Sequence, residues 1–345
     1  MSQRLEPLQS PQLIATDLDG TILFDRKVSS ADREAMRRWR AAGNLLVVDT
    51  GKSVFATRDT LEPLGVVFDY AIAFTGAVLA DGDYRVLTSR FLPDGLAHEI
   101  VMSLQGIDGL TVFATTLETD HIISDTYHEI SPILQVFVPM TPGEMSGHRF
   151  IGVPMRVRDD DVRERIVADL AGRWGEQLEV VRNQEFLDVI PAGATKGSGL
   201  NDLVAWLTGP DGPYPGEHVE TWSIGDSWND IPMHEVADHA VAMPWSPAEV
   251  TAACERTAGS LAELVDSVEA VLAERGAATV GEVLADRPAT QGLASIVGLL
   301  LLARRRGQEV AGDEDVTWTT SSGRERSARI PRFLFTDRTE KSGDA

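Results

Sequence analysis

Residues 12–21 read Gln-Leu-Ile-Ala-Thr-Asp-Leu-Asp-Gly-Thr. The apolar start of this stretch is the pattern of a short buried strand. It stops abruptly at two carboxylates one residue apart, followed by a glycine. An unpaired buried carboxylate is costly, so Asp17 and Asp19 fit only at the strand's end, facing positive charge. Strand end, paired acids and turn glycine predict a metal-dressed catalytic carboxylate at the carboxyl edge of a parallel sheet. A strand followed by an ordinary Asp-Gly turn has the same local sequence. The rest of the chain has to decide.

The rhythm downstream is strand, helix, strand, helix, strand. Ser29-Ser30-Ala31-Asp32 caps a helix that Gly43 stops. The apolar run Leu45–Val48 ends in Asp49-Thr50-Gly51-Lys52-Ser53, and a second helix follows. A third strand over Phe68–Phe74 ends in Thr75-Gly76-Ala77. This spacing predicts a parallel sheet with right-handed crossovers. From about Val86 the pattern becomes strand-rich α+β material, with a helix near Asp94–Leu104, a strand near Ile133–Val138 and an amphipathic helix over Asp160–Trp174. The first rhythm resumes at Phe186–Ile190, read as a core strand. Pro191–Gly197 then opens a helix, and the strand Val219–Ile224 runs into Gly225-Asp226-Ser227-Trp228-Asn229-Asp230.

The predicted fold class is therefore α/β: a Rossmann-like parallel-sheet core with helices on both faces, an inserted α+β domain and a C-terminal extension. The core takes 12–85 and 186–270, the insertion 86–185 and the extension 271–345. In the extension, two short strands are expected at Val316–Thr320 and Ile330–Phe335. Its arginines at 324, 326, 329 and 332 offer a contact with the acidic body or with a second copy, a route to a homo-oligomer through the extension.

The net charge of −22 over 345 residues argues against nucleic acid, whose binders need a basic footprint. Cys254 is the single cysteine, so no disulfide forms within the chain and a reducing cytoplasm is the expected location. The longest apolar run, Leu293–Ala303, is too short to span a bilayer. Lysine occurs only at 27, 52, 196 and 341. Two of these four stand in Gly-flanked segments, where a compact ammonium differs in use from a guanidinium fork.

Four polar signals thus fall just past the carboxyl ends of predicted strands: Asp17/Asp19, Thr50-Gly51-Lys52, Lys196, and Asp226 with Asn229 and Asp230. A calcium-binding EF-hand fails for want of its other ligands and closing glutamate. A Walker loop fails because position 46 is leucine. Several converging carboxylates need a cation, and hard oxygen ligands suit magnesium, which also takes a substrate phosphate. A carboxylate can attack phosphorus. A lysine and a metal ion offset charge on the transferring phosphoryl group, and Thr50 and Gly51 can orient it. A second carboxyl two residues on can protonate the leaving oxygen and later deprotonate water.

Ile14–Thr21 (IATDLDGT), Thr50–Ser53 (TGKS), Ile190–Leu200 (IPAGATKGSGL) and Ile224–Met233 (IGDSWNDIPM) resemble the four motifs of the haloacid-dehalogenase-like phosphatases. The branch they resemble is the Cof-type, sucrose-phosphatase-like one, with a large α/β cap between the second and third motifs. The resemblance covers roughly residues 12–265. It implies Asp17 as nucleophile and Asp19 as general acid/base, with Lys196 completing the catalytic set. Thr50, Gly51, Lys52, Lys196 and Asn229 would bind the substrate phosphate. Asp17, Asp19 through its backbone carbonyl, Asp226 and Asp230 would form the magnesium site. The insertion would be a cap that selects a small-molecule phosphate ester, most plausibly a sugar phosphate, with neither nucleic acid nor membrane as partner.

Three positions depart from the family pattern. Lys52 stands where arginine is usual, Thr75 where asparagine is common, and Ala242–Ser246 where Met-Gly-Asn-Ala is frequent. The last two bear on substrate preference. Two other functions share these motifs: a phosphomutase or phosphotransferase using the same phosphoenzyme, and a non-enzymatic regulatory or binding module. The intact set Asp17, Asp19, Lys196 and Asp226 argues against the module. His121 and His128 lie in the insertion without metal-ligand spacing.

Overall fold

The computed structural model describes residues 10–128, 137–183, 186–285, 314–319 and 325–330. Two units are separable, Ser10–Asp266 and one containing Ser267–Ala345.

The first unit begins with β1 (Gln12–Thr16), α1 (Ser30–Ala41), β2 (Leu45–Asp49), α2 (Val54–Leu61), β3 (Tyr70–Ala73), β4 (Val78–Asp81) and β5 (Val86–Ser89). There follow α3 (Leu96–Ser103), β6 (Leu110–Thr115), β7 (Asp120–Asp125), β8 (Val138–Pro139), β9 (Val153–Val157), α4 (Asp160–Trp174), β10 (Leu178–Asn183) and β11 (Phe186–Pro191). It continues with α5 (Lys196–Thr208), β12 (Glu220–Gly225), α6 (Ile231–Val236), β13 (His239–Ala242), α7 (Ala248–Ala252) and β14 (Arg256–Thr257).

Among the described residues one sheet has the order β14-β13-β12-β1-β2-β3-β4-β5. From β14 through β3 every neighbouring pair is parallel; β4 and β5 add an antiparallel edge. Successive side chains of a strand point to opposite faces, and here both faces are covered, as a parallel sheet requires. Leu13, Ala15 and Val47 pack with Leu200, Leu203 and Leu207 of α5 on one face. Ile14, Leu46 and Val48 alternate with them and are equally buried. The expected α/β core, with β1 at its centre, is the fold observed.

A second sheet has the order β10-β11-β9-β6-β7-β8. One of its faces carries an apolar cluster in which Val112, Val153, Met155 and Val189 meet Leu96 and Ile100 of α3 and Ile166 and Leu170 of α4. The run Phe186–Ile190, expected as a core strand, belongs to this second sheet. As part of β11 it pairs antiparallel with β10, from Leu178↔Pro191 to Asn183↔Phe186, and with β9. Five apolar-rich residues suit either sheet, and the adjacent antiparallel strand β10 captures them. Conversely Val86–Ser89, expected to open the insertion, is β5 of the first sheet. The strand expected near Ile133–Val138 lies mostly outside the described residues.

In the second unit, α8 (Leu261–Ala285) enters from the first, and β15 (Glu314–Thr319) pairs antiparallel with β16 (Glu325–Ile330), Glu314 opposite Ile330. The second strand therefore precedes the expected Ile330–Phe335. Among the described residues no helix is long and apolar enough to cross a membrane.

Candidate active site

Three of the expected segments leave β1, β2 and β12 at one edge of the first sheet; the fourth, with Lys196, follows β11 of the second sheet and reaches that edge at the start of α5. The Asp17 N–H continues the ladder past β1 by donating to the Ile224 carbonyl at 2.9 Å. This places its carboxyl beside the loop that follows β12. Lys196 opens α5, behind a Thr195 hydroxyl that accepts the Ser198 N–H at 3.0 Å. The reciprocal bond from the Thr195 N–H to Ser198 Oγ completes a capping box. The lysine ammonium is fully buried and lies 2.6 Å from Asp17 Oδ1 and 2.5 Å from Asp230 Oδ1. The other Asp230 oxygen accepts the Asp226 and Ser227 N–H groups at 2.9 and 2.8 Å. Asp230 thus orients Lys196 and shapes the Asp226 turn at once. The Thr21 hydroxyl donates to Asp17 Oδ2 at 3.3 Å.

Asp17, Asp226 and Asp230 each offer an oxygen within 4.8 Å of the others. Asp226 Oδ1 is buried with no protein partner. Three hard oxygen donors, one of them unsatisfied, fit a divalent cation of the magnesium class. Burial pushes the Asp17 carboxyl up to about 8, with Asp230 and Asp226 adding to the shift and Lys196 opposing it. Burial and Asp230 likewise push Asp226 up to about 7. Burial alone would lower the Lys196 value, but Asp17, Asp230 and Asp49 outweigh it and hold the ammonium charged. One cation is thus shared among too many acids, and the cluster retains protons unless a metal ion neutralises it.

Lys52 Nζ lies 2.7 Å from Asp19 Oδ2, so these two expected site residues face each other. The Lys52 N–H donates to Thr50 Oγ1 at 3.2 Å, closing the Thr50–Lys52 loop on itself. A second loop supports it. The Phe74 N–H donates to the Lys52 carbonyl at 2.7 Å and the Thr75 N–H to the Thr50 carbonyl at 3.0 Å. Phe74 and Thr75 have φ of 49° and 52°, a left-handed backbone unusual for a β-branched residue such as threonine and worth about 1–3 kcal/mol of strain. Gly76 follows because a Cβ there would lie 1.9 Å from the Thr195 carbonyl oxygen. Asn229 is buried beside Asp230.

Sequence reasoning missed Asp49. Leu45 and Val47 face α5, so alternation carries Asp49 toward the same helix, at the end where Lys196 stands. It is fully buried and neither carboxyl oxygen has a hydrogen-bond partner. Burial holds its pKa well above the usual range; Lys196 opposes, and Asp230 and Asp17 add to it. An acid closing an apolar run immediately before Thr-Gly-Lys was the available signal. Trp245 was also missed: its indole N–H donates to the Gly20 carbonyl at 2.9 Å and ties the loop after β13 to the first motif.

Gly20 adopts φ +85°, and a Cβ there would lie 2.4 Å from Asp226 Oδ2. Gly20→Ala is therefore expected to displace the Asp226 carboxyl. Its cost in stability is about 1–3 kcal/mol, read by denaturant titration without metal. An unchanged denaturation midpoint would contradict this close approach.

A family model for haloacid dehalogenase-like hydrolases matches residues 14–272. This chain belongs to the haloacid dehalogenase-like hydrolases. A second model, for a family of unknown function, matches residues 215–335 of the hydrolase. Among curated relatives, the 5-amino-6-(5-phospho-D-ribitylamino)uracil phosphatase YwtE of Bacillus subtilis is 25% identical over 260 residues, covering 67% of this chain and 86% of the relative. Phosphatase YwpJ of the same organism is 26% identical over 261 residues, covering 67% and 89%. Among solved structures, a haloacid dehalogenase-like hydrolase from B. subtilis superposes with a TM-score of 0.64 at 21% identity, over 74% of this chain and 99% of that one. The subclass IIB sugar phosphatase BT4131 superposes with a TM-score of 0.60 at 18% identity, over 75% and 98%.

Proposed function

We propose that this hydrolase is a magnesium-dependent phosphatase that removes the phosphoryl group from a small phosphate monoester, a sugar phosphate, by way of phospho-Asp17. The observation that carries the reading is the Asp17 carboxyl at the end of β1, held by buried Lys196 at 2.6 Å and flanked by Asp226 and Asp230. An Asp17 oxygen attacks phosphorus, and the ester oxygen departs with a proton from Asp19. Water then attacks the acyl phosphate, giving its proton to Asp19 and releasing phosphate. Lys196 offsets the charge on the transferring group, while the Thr50 hydroxyl, the Gly51 N–H, Lys52 and Asn229 orient it. Asp17, Asp19 by its carbonyl, Asp226 and Asp230 would hold magnesium, Asp230 chiefly by placing the others. Bound there, the ion supplies positive charge for the phosphate oxygens. The second sheet with α3 and α4 acts as a cap over the leaving group. The names of YwtE, a phosphoribitylamino-uracil phosphatase, and of BT4131, a sugar phosphatase, support an ester of a polyol or sugar. With Cys254 its single cysteine, the enzyme is suited to the reducing cytoplasm.

The test is phosphate release from a panel of hexose, pentose and polyol phosphates and acetyl phosphate, with and without magnesium. Turnover that needs magnesium is the expected result; turnover that survives chelation overturns the metal assignment. Product analysis separates hydrolysis from transfer to a second sugar.

The raised carboxyls give the metal effect a pH dependence. Without a cation, Asp17 and Asp226 titrate near 8 and 7 in the fold but near 4 in an unfolded chain. The fold then binds more protons than the unfolded chain, so the stability these groups contribute falls as pH rises from about 4 through their folded values. Magnesium binds the ionised form. Its gain in melting temperature should therefore be larger at about pH 8 than at about pH 6, measured by differential scanning fluorimetry against a chelated control. An equal or larger gain at the lower pH would contradict the assignment.

A further inference from the structure

Among the described residues the two sheets meet at their linkers, at the Arg182 guanidinium 5.2 Å over the Trp228 ring, and at a buried hydrogen bond. At the linkers, Arg90 donates to the Gly193 carbonyl at 2.9 Å and lies 2.5 Å from Asp202 of α5, so one side chain clasps both connecting segments. The hydrogen bond is on β7, three strands along the second sheet from β11, about 14 Å at the usual strand spacing. There Asp120 Oδ2 accepts the Ser53 hydroxyl at 2.6 Å, and Asp120 Oδ1 accepts the Thr115 hydroxyl at 2.8 Å.

From these contacts we infer that Asp120 is a positioning residue: its hydrogen bond from Ser53 latches the cap onto the phosphate-binding loop and sets that loop for esters whose leaving group the cap must enclose. The inference rests on the phosphatase reading above. Ser53 directly follows Lys52, whose ammonium faces Asp19. The Ser53 oxygen also accepts the Ala56 N–H at 3.0 Å as the N-cap of α2. Its single hydroxyl proton is thus committed to Asp120, and the loop, the start of α2 and the cap share one bond. Asp120 is only 8% exposed. Burial raises its pKa, opposed by the Ser53 and Thr115 hydroxyls and by the charges of His121 and Lys52. An acid is costly to bury, and a seam that merely packed two layers would be met more cheaply by an apolar side chain. Here both carboxyl oxygens are used, one of them on the residue beside Lys52.

The test compares a leaving group that needs enclosure with one that does not. For the best sugar phosphate of the panel, Asp120→Ala should lower kcat/KM about tenfold, the scale of one buried hydrogen bond. For acetyl phosphate, whose leaving group is small, it should stay within about twofold. Asp120→Asn keeps an acceptor for Ser53 and should stay within about threefold on both. Adding Asp120→Ala to Ser53→Ala should cost no further sugar-phosphate activity than Ser53→Ala alone, because the shared bond is already gone and the lost N-cap is common to both. Amide exchange reads the latch without turnover: Asp120→Ala should speed exchange at residues 53–57 and 115–121. Unchanged exchange overturns the latch whatever the activity. Parallel losses on both esters, or additive losses in the double variant, overturn its positioning role. If the wild type hydrolyses neither ester, the phosphatase reading fails, and exchange alone decides the latch.

Discussion

Asp17→Asn will give a folded protein that releases no phosphate. Asparagine has the same shape and keeps an acceptor oxygen for the Lys196 ammonium, which lies 2.6 Å from Asp17 Oδ1 and retains Asp230 at 2.5 Å. The exchange also removes one acid from a crowded group; Asp226 and Asp49 both have raised pKa values there. The melting temperature without metal should consequently hold or rise. Chemistry is a different matter, because an amide is a far poorer nucleophile toward phosphorus than a carboxylate. Loss of a covalent nucleophile costs on the order of 10⁴-fold or more in kcat. Wild-type enzyme quenched in acid during turnover should carry a phosphoryl group on Asp17, located by peptide mass, and the variant should carry none. Turnover within about a hundredfold of wild type would remove Asp17 from the nucleophile's role.

The residues that were legible in the sequence share a property. Asp17, Asp226 and Lys196 are polar groups next to glycines and apolar runs, without a local partner in sequence to satisfy them. Burial forces Asp17 and Lys196 together across 179 positions, while Asp226 keeps an unpartnered oxygen beside them; β1, β12 and the start of α5 bring all three to one sheet edge. The order β12-β1-β2-β3 follows from the same rhythm, since right-handed crossovers leave few alternatives. The rest depends on pairings that local sequence does not specify. The Ser53–Asp120 bond spans 67 positions, and nothing about Asp120 distinguishes it from a surface acid. β11 reads as a core strand because the largely apolar Phe186–Ile190 suits either sheet; pairing with β10 decides its place. Asp49 looked like an ordinary strand end, and only the parity of β2 against α5 shows it facing Lys196. Asp230, read as a metal ligand, has one oxygen on Lys196 and the other on two backbone N–H groups. It lies together with Asp17 and Asp226, but the sequence could not show that division of work.

Lys196→Met produces the largest expected loss of stability. Lys196 is fully buried and bridges Asp17 and Asp230. Removing one partner of a buried ionic group leaves uncompensated charge and costs about 3–5 kcal/mol. For a unit of this size the loss in melting temperature is on the order of 10 °C. The pH dependence identifies the cause. In the wild type the Lys196 value is raised above that of an unfolded lysine, so its stabilisation is fully present below about pH 10. It is lost only as pH rises through the folded value, and is level between about pH 5 and 8. In the variant the carboxyls lose the one cation that was lowering them, and Asp17 moves further above its wild-type value of about 8. In both proteins the fold holds protons that the unfolded chain does not, so both lose stability as pH rises from about 4; the wild type levels off as Asp226 and Asp17 ionise near 7 and 8, while the variant, with higher values, keeps falling. The deficit relative to wild type should therefore be larger at about pH 8 than at about pH 5, measured by urea titration of both proteins without metal. Equal deficits would mean that methionine fails by packing, because a cavity or a clash costs the same at either pH. A deficit that grows with pH assigns the loss to the charges of Asp17 and Asp230, the charges on which the proposed phosphoryl transfer depends.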